Sequence, residues 1–263
     1  MLALAAGAAA TYGVVAGGKA LIERQVAYTR SITGTPLGWA APNADGRYGD
    51  RYQRELLRIV VVGDSVAAGL GATLPSHTVG ARVARRVARH ARRPVRLRTV
   101  ARIGAESRDL AGQLAHFGPA YRPDLAIVVV GGNDVLHRVP AEESGRNLAA
   151  CVRSLQERGA AVVVGTCPDL GALKQVPQPL RTLASIASRQ VAAAQARAVA
   201  PLGVEVVDLA RVVGPFFLAH PEEMFALDRF HPSSLGYQRT ARAMVPAALR
   251  AIDARGGPIR PAG

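Results

Sequence analysis

The chain has 263 residues, a formal net charge of +14, and a composition that is 49% hydrophobic but only 5% aromatic. Its core must be built mostly from Val, Leu, Ile and Ala, which favours one well-cored domain with a parallel sheet covered by helices. The scarcity of aromatic residues argues against a carbohydrate-binding platform. The two cysteines, Cys151 and Cys167, form no Cys-x-x-Cys motif or His/Cys cluster, so we expect no metal, and whether they pair stays open.

Residues 1–18, MLALAAGAAATYGVVAGG, contain no charged side chain. As a helix they would span roughly 27 Å, about the thickness of a bilayer's hydrocarbon core. The small residues of AAGAAA would suit a cleaved signal peptide, but the apolar run before them is short, so we favour an uncleaved anchor. The sequence therefore predicts a membrane-associated or exported protein in preference to a cytoplasmic one.

The next segment, residues 19–56, is interpreted as a linker or strap, because residues 31–50 are rich in Gly, Pro, Asn and Asp and show no periodicity. From residue 57 onward, apolar strand-like runs alternate with helical patterns. Strands are predicted at 58–63, 95–100, 124–130, 160–165 and 203–207, and helices near 78–92, 106–116, 142–158, 179–199 and 233–252. This alternation predicts one α/β domain over residues 57–253, with a five-stranded parallel sheet between helices, and a tail over 254–263.

The helix predicted over 78–92 carries the densest positive charge of the chain. Its valines recur every four residues, at Val79, Val83 and Val87, whereas its arginines fall mostly elsewhere, so the helix is amphipathic with a basic outer face. No aromatic residue interleaves with these arginines. A solvated face is therefore favoured over a dedicated anion-binding surface, and we expect no nucleic-acid partner.

Polar residues and glycines follow four of the predicted strands, at Gly63-Asp64-Ser65, near Ile103-Gly104, in GGND (131–134) and in GTCPD (165–169). Functional residues of parallel sheets gather at the carboxyl ends of the strands. The sequence therefore predicts a functional site at this rim of the sheet.

A serine at such a rim becomes a nucleophile when a base lies within hydrogen-bond reach and a third group orients that base. Among the six histidines, His231 stands out, because Asp228 lies three residues before it in FALDRFHPSSLGY. That spacing lets the carboxylate reach one ring nitrogen and leaves the other free to act on Ser65. Taken alone, the pattern also fits a helix-capping aspartate beside a surface histidine. Asp64 is interpreted as an aspartate that bonds loop amides and holds the turn.

These blocks together, GDS, RIGAESRDL, GGND and DRFHP, resemble the SGNH hydrolase family, also called GDSL esterases and lipases, and within it the exported or membrane-anchored members of actinobacterial type. The resemblance extends from about residue 57 to about residue 250. It implies a flavodoxin-like three-layer α/β/α fold. It also implies Ser65 as nucleophile, His231 as general base and Asp228 as its orienting acid, with an oxyanion hole formed by the backbone N–H groups of Ser65 and Gly104 and the side chain of Asn133. Val66 stands where the family name has leucine.

The resemblance implies a serine esterase that hydrolyses carboxylic esters, either short-chain esters or lipids, through an acyl-enzyme without a cofactor. We expect a monomer, with an anionic membrane surface as a further partner. Two alternatives stay open: a membrane-tethered, non-catalytic binding module with the same fold, and an O-acetyl-glycan esterase of the same family. Four phenylalanines near the predicted triad fit either an acyl pocket or a core beneath the last loop, namely Phe216, Phe217, Phe225 and Phe230.

Overall fold

The computed structural model describes residues 17–29, 31 and 40–256. Residues 17–29 are helical. The strands are β1 (Gly46–Tyr48), β2 (Leu57–Gly63), β3 (Val95–Thr99), β4 (Leu125–Val129), β5 (Ala161–Gly165) and β6 (Glu205–Val207). The helices after residue 40 are α1 (Ser65–Ala68), α2 (Val79–Ala91), α3 (Leu110–Leu114), α4 (Gly132–Leu136), α5 (Ala141–Glu157), α6 (Leu180–Val199), α7 (Leu209–Val212), α8 (Gly214–Ala219), α9 (Pro221–Met224) and α10 (Ser234–Gly256). Single 3₁₀ turns lie at Pro75–His77, Ser107–Asp109, Leu170–Ala172 and Ala200–Leu202.

The sheet has the strand order β1-β3-β2-β4-β5-β6. The five predicted parallel strands all form, and strands β2 to β6 pair in parallel. The predicted α/β/α fold is confirmed, but the predicted number of strands is wrong, because β1 adds a sixth strand antiparallel to β3. No sequence pattern indicates β1, since an edge strand of three residues needs only backbone hydrogen bonds and no apolar alternation. The stretch interpreted as a linker therefore contributes to the sheet.

Helices cover both faces of the sheet. On one face, α2 and α10 pack over β2 and β4, with the side chains of Val83, Val87, Tyr237 and Met244 fully buried. On the other face, α3 and α5 bury a second cluster that includes Leu110 and Leu148. The amphipathic pattern predicted for α2 is confirmed, because its valines are buried and most of its arginines are exposed.

The helix at residues 17–29 joins the domain through Gln25, which is buried. The side-chain amide of Gln25 donates to the carbonyl of Gln178 (2.5 Å) and accepts from the N–H of Leu180 (3.1 Å). The helix therefore lies against the N-terminus of α6. Most of the predicted apolar segment, residues 1–16, and most of the predicted tail, residues 257–263, lie outside the described residues. Within the described part of the chain, no helix has both the length and the apolar character needed to cross a membrane.

Cys151 and Cys167 are both free and buried. They lie in different hydrophobic clusters, one beneath α5 and one between β5 and α6. Burial raises the pKa of the Cys151 thiol to about 12. Both residues therefore serve as small apolar side chains of the core.

Gly63 ends β2 in a position that admits no side chain. Its φ is 139°, and a Cβ atom there would lie 1.8 Å from the carbonyl oxygen of Val129 in β4. The amide of Gln113 completes the hydrogen bonds of Gly63, since it donates to the Gly63 carbonyl (2.7 Å) and accepts from the Gly63 N–H (2.9 Å). The close approach lets the chain turn directly after the strand, so that residue 65 stands at the rim of the sheet.

We expect Gly63→Ala to lower the free energy of unfolding by about 3 kcal/mol, because the added methyl group must push β2 away from β4 in a strained backbone conformation. Urea denaturation of the two proteins measures the difference. Gly112→Ala is the matched control. Gly112 lies in α3 with open space around it, so alanine there should be neutral or stabilising by up to about 1 kcal/mol. Equal stability of Gly63→Ala and the wild type would contradict this account of the turn.

Candidate active site

Ser65 is the first residue of α1 and is buried. Asp64 caps this short helix, since its carboxylate accepts the N–H of Val66 (2.9 Å). The interpretation of Asp64 as the residue that holds the turn is thus matched by its hydrogen bond. The strand, the tight turn at Gly63 and the cap together fix the position of the serine hydroxyl.

His231 lies in a loop that is closed on itself between α9 and α10. The N–H of Ala226 donates to the His231 carbonyl (2.8 Å), and the N–H of Ser233 donates to the Met224 carbonyl (2.8 Å). Asp228 stiffens the loop from inside, because its Oδ1 accepts the N–H groups of Phe230 and His231, each at 3.0 Å. The Asp-x-x-His spacing is therefore a compact turn whose carboxylate faces the histidine ring.

The hydroxyl of Ser65, the ring of His231 and the carboxylate of Asp228 form a continuous hydrogen-bonded chain. Ser65 Oγ lies 3.0 Å from His231 Nε2, although the two residues are 166 positions apart in the sequence. His231 Nδ1 lies 2.6 Å from Asp228 Oδ2. When Nδ1 carries the ring proton and donates a hydrogen bond to Asp228, Nε2 is free to accept a hydrogen bond from the hydroxyl of Ser65.

Contacts between α10 and the segment after α1 bring these distant residues together. The buried hydroxyl of Tyr237 donates to the carbonyl of Leu70 (2.7 Å), and Ser234 Oγ accepts the N–H of Thr73 (3.0 Å). Gly71 lies directly against the histidine loop, where a Cβ would meet the carbonyl of Pro232 at 2.6 Å. The serine and histidine segments are therefore packed as one unit.

The carboxylate of Asp228 is held in its charged form. Burial alone would raise the pKa of Asp228, but the hydrogen bonds from the His231 ring and from two backbone N–H groups outweigh that effect and lower it below its ordinary value. A charged carboxylate at Nδ1 stabilises positive charge on the ring. The histidine can therefore take up a proton at Nε2.

Gly104 lies in the loop after β3, and Asn133 lies in the first turn of α4, which follows β4. The N–H of Arg102 donates to the Gly63 carbonyl (3.1 Å), and the side-chain amide of Asn133 donates to the Ala105 carbonyl (2.9 Å). Gly104 lies between these two contacts with a φ of 79°, in the left-handed region that favours glycine. Within the described chain, the backbone N–H groups of Ser65 and Gly104 have no hydrogen-bond partner.

Two further links fasten the Gly104 loop to α4. The N–H of Ser107 donates to Asp134 Oδ1 (2.9 Å), and the buried carboxylate of Glu106 lies 2.6 Å from His137 Nδ1. No role is predicted from the sequence for Glu106 or Asp134. Asp134 belongs to the GGND block, and its position directly after a strand is the signal that the sequence contains for it. Nothing in the sequence indicates that Glu106 pairs with His137.

Two buried glutamines that the sequence analysis missed complete the ends of the strands. Gln113 brackets Gly63, as described above, and Gln195 accepts the N–H of Cys167 (2.8 Å) and donates to the carbonyl of Val130 (3.0 Å). Gln113 lies on an otherwise apolar helix face, whereas Gln195 shares its buried face with Ser188. A polar residue at a position of the apolar stripe is the signal that the sequence contains for Gln113.

A narrow cavity of about 80 Å³ opens beside Ser65, Asn133 and His231. Its walls are mostly apolar and come from the segment after β5, from α7 and α8, and from the histidine loop: Leu170, Ala172, Leu173, Leu209, Val213, Phe217, Phe225 and Phe230. Three of the four phenylalanines considered in the sequence therefore line it. Phe216 does not, because its ring is partly exposed beneath the guanidinium of Arg239.

The site contains no arrangement suited to a metal ion. Across residues 17–29, 31 and 40–256, no group of three or more His, Cys, Asp and Glu side chains is placed to hold one. The polar groups of the site are instead arranged around the hydroxyl of Ser65.

Comparison with known proteins places the chain among ester hydrolases. Residues 61–239 match the model of the GDSL-like lipase/acylhydrolase family. The GDSL-like esterase Rv1075c of Mycobacterium tuberculosis is 38% identical over 250 residues, which cover 91% of this chain and 79% of that protein.

Solved structures of low sequence identity share the fold. The lipase/acylhydrolase from Enterococcus faecalis has a TM-score of 0.57 at 22% identity, covering 72% of this chain and 94% of its own. The lipase Lip_vut3 from a goat rumen metagenome has a TM-score of 0.58 at 18% identity, covering 77% and 99%.

The family match and the esterase relative define the protein as a serine hydrolase that acts on ester bonds. The chain belongs to the GDSL-like lipase/acylhydrolase family, the SGNH hydrolases, and the resemblance inferred from its motifs is confirmed.

The titration of Asp64 gives a test of the site's electrostatics. Burial raises the pKa of Asp64 from 3.8 to about 6. The folded protein thus favours the protonated carboxyl, and the resulting stability is present below about pH 4 and lost as the pH rises through about 6. Between pH 4 and pH 7.5, we expect the free energy of unfolding of the wild type to fall by about 3 kcal/mol relative to Asp64→Asn. Denaturation curves of both proteins at the two pH values measure this change. If the two unfolding free energies differ by the same amount at both pH values, the raised pKa of Asp64 is contradicted.

Proposed function

We propose that the protein hydrolyses carboxylic esters of apolar acyl groups, with Ser65 as nucleophile, His231 as general base and acid, and Asp228 as the residue that orients His231. One observation carries the proposal: the chain of hydrogen bonds from Ser65 Oγ through His231 to Asp228, at 3.0 Å and 2.6 Å, beside an apolar cavity. A serine hydroxyl is a poor nucleophile until an adjacent base takes its proton, and this chain supplies the base and its orienter.

In the first half of the reaction, Ser65 Oγ attacks the carbonyl carbon of the ester while its proton passes to His231 Nε2. The developing negative charge on the carbonyl oxygen accepts hydrogen bonds from the backbone N–H groups of Ser65 and Gly104 and from the Asn133 amide. Asn133 has a second side-chain N–H besides the one that donates to Ala105, so it can serve both partners. His231 then gives its proton to the leaving alkoxide, and an acyl-enzyme remains.

In the second half, water replaces the leaving group. His231 Nε2 takes a proton from this water, whose oxygen attacks the acyl carbon, and then returns the proton to Ser65 Oγ as the carboxylic acid departs. The lowered pKa of Asp228 keeps that carboxylate charged throughout, which stabilises the imidazolium in both halves. The backbone and side-chain donors are fixed before substrate arrives, so the site needs little rearrangement as charge develops.

The cavity beside Ser65 is the proposed site for the acyl group. Its walls are aliphatic and aromatic, and its small volume suits a short acyl chain more than a long one. Burial of each methylene group contributes about 0.8 kcal/mol, so the acyl chains that fill the cavity should be the best substrates.

The role of Ser65 is tested by hydrolysis of p-nitrophenyl esters from acetate to palmitate. We expect Ser65→Ala to lower kcat by about 10⁴-fold or more on every chain length, because no other group can form the acyl-enzyme. Labelling of the wild type by an organophosphonate, detected by mass spectrometry at Ser65, is the companion measurement. A folded wild type that neither turns over any of these esters nor becomes labelled would favour the non-catalytic binding module.

Gly214 gives a test of the acyl cavity. It lines the cavity, and a Cβ atom there would meet nothing nearer than the Cβ of Asp169 at 4.0 Å. We expect Gly214→Leu to fill the cavity and to lower kcat/KM for p-nitrophenyl hexanoate by about tenfold or more, with less than about a threefold change for the acetate. Gly118→Leu is the matched control, because Gly118 is exposed, has open space around it and lies outside the cavity. An equal loss on both esters would contradict the assignment of the cavity.

A further inference from the structure

Part of the exposed apolar surface lies on elements around the site. Within the described residues, eleven large hydrophobic side chains are exposed, and six of them, with exposed fractions from 46% to 86%, lie on the helix at residues 17–29, on α4, on α6 and in the histidine loop. We call these six the rim patch: Leu21, Tyr28, Leu136, Leu183, Ile186 and Leu227. Scattered exposed leucines are ordinary in soluble proteins, but a contiguous group is characteristic of an interaction surface.

One buried cluster connects the elements that carry four members of the rim patch. Leu170, Leu173 and Val176 form its centre, and Val135 of α4, Leu180 of α6 and Phe230 of the histidine loop pack against it. Leu136 follows Val135, Leu183 and Ile186 follow Leu180 on α6, and Leu227 lies in the same loop as Phe230. The elements that carry these exposed side chains therefore meet around the cavity that opens at Ser65.

The helix at residues 17–29 adds the remaining two members. Gln25 binds the backbone at residues 178 and 180, and Leu21 and Tyr28 lie on the same helix face as Gln25, four residues before and three residues after it. This helix therefore carries its half-exposed apolar side chains next to the N-terminus of α6, the helix that also bears Leu183.

Basic side chains without acidic partners accompany the rim patch. Arg138, Lys174 and Arg229 are exposed, and within the described chain none of them forms an ion pair. By contrast, the nearby carboxylates of Glu106, Asp169 and Asp228 are each engaged by a basic side chain or a histidine of the protein. The rim thus combines exposed leucines with uncompensated positive charge.

We propose that the rim patch is the surface by which the protein docks on an anionic phospholipid membrane, with the opening of the active site toward the lipid. Exposed aliphatic side chains enter the interfacial region of a bilayer, and lysines and arginines beside them attract anionic headgroups. The proposal assigns the membrane contact to this rim and not to the basic outer face of α2, which carries arginines but no exposed apolar side chain. It concerns the site of the proposed esterase, but the docking itself does not require turnover.

The orientation is tested with an environment-sensitive fluorophore on the full chain in the Ser65→Ala background. Cys151 and Cys167 are buried, so a nitrobenzoxadiazole label will attach to Leu183→Cys or, as the matched control, to Arg89→Cys on the exposed face of α2. With vesicles of equal parts phosphatidylglycerol and phosphatidylcholine, we expect the emission at position 183 to shift to shorter wavelength and to be quenched by lipid-borne nitroxide. Position 89 should show neither change. The reverse pattern, or no change at position 183, would overturn the proposal.

Charge reversal provides the second measurement. Arg138→Glu/Lys174→Glu and Arg86→Glu/Arg89→Glu change the net charge equally, but only the first pair lies at the rim patch. We expect the first pair to weaken binding to the mixed vesicles by about tenfold or more, and the second by less than about threefold. Equal effects would overturn the proposal, as would a dimer in vesicle-free solution that buries position 183. Hydrolysis of p-nitrophenyl acetate by the same variants with Ser65 intact reports separately on the proposed esterase.

Discussion

The close approach of Gly63 to the carbonyl of Val129 is the constraint on which the candidate site depends. Because no side chain intervenes, β2 and β4 stay paired to their last residues and the chain turns at once into α1. Ser65 is thereby held at the rim, where the loop with Gly104 and the start of α4 with Asn133 also lie. The histidine loop meets this frame through Gly71 and Tyr237, so the proposed triad is assembled by packing between α10 and the segment that follows the nucleophile.

Two buried carboxylates near Ser65 have opposite electrostatics. Burial outweighs the hydrogen bonds that Asp64 accepts from the backbone N–H groups of Val66 and Ala67, so its pKa is raised. Asp228 is also removed from water, but two N–H groups and the histidine ring donate to it, and its pKa is lowered. The deeper burial of Asp64 and the additional histidine donor at Asp228 therefore set the opposite directions of the two pKa shifts. Only the second carboxylate is suited to stabilise an imidazolium ion.

The sequence predicted much of the fold because the five parallel strands are buried and their apolar runs are long, as in the fully buried residues of β2 and β4. It also predicted which residues meet at the rim, because strand ends of a parallel sheet converge and the Asp228–His231 spacing is local. The three-residue strand β1 carries no pattern, and the contacts of Glu106 with His137 and of Gln195 with Cys167 join residues 28 or more positions apart. Such pairings depend on tertiary packing, which no local pattern encodes.

Gln113 and Gln195 satisfy with their own amides the backbone groups that a parallel sheet leaves open where its strands end. The strand ends therefore do not rely on the loops alone for their hydrogen bonds. A loop at the rim can change in length or composition while the frame that carries the serine keeps its geometry. The two glutamines thus allow the rim loops to diverge in substrate preference. The strand ends that hold Ser65 keep the geometry that the reaction of any ester requires.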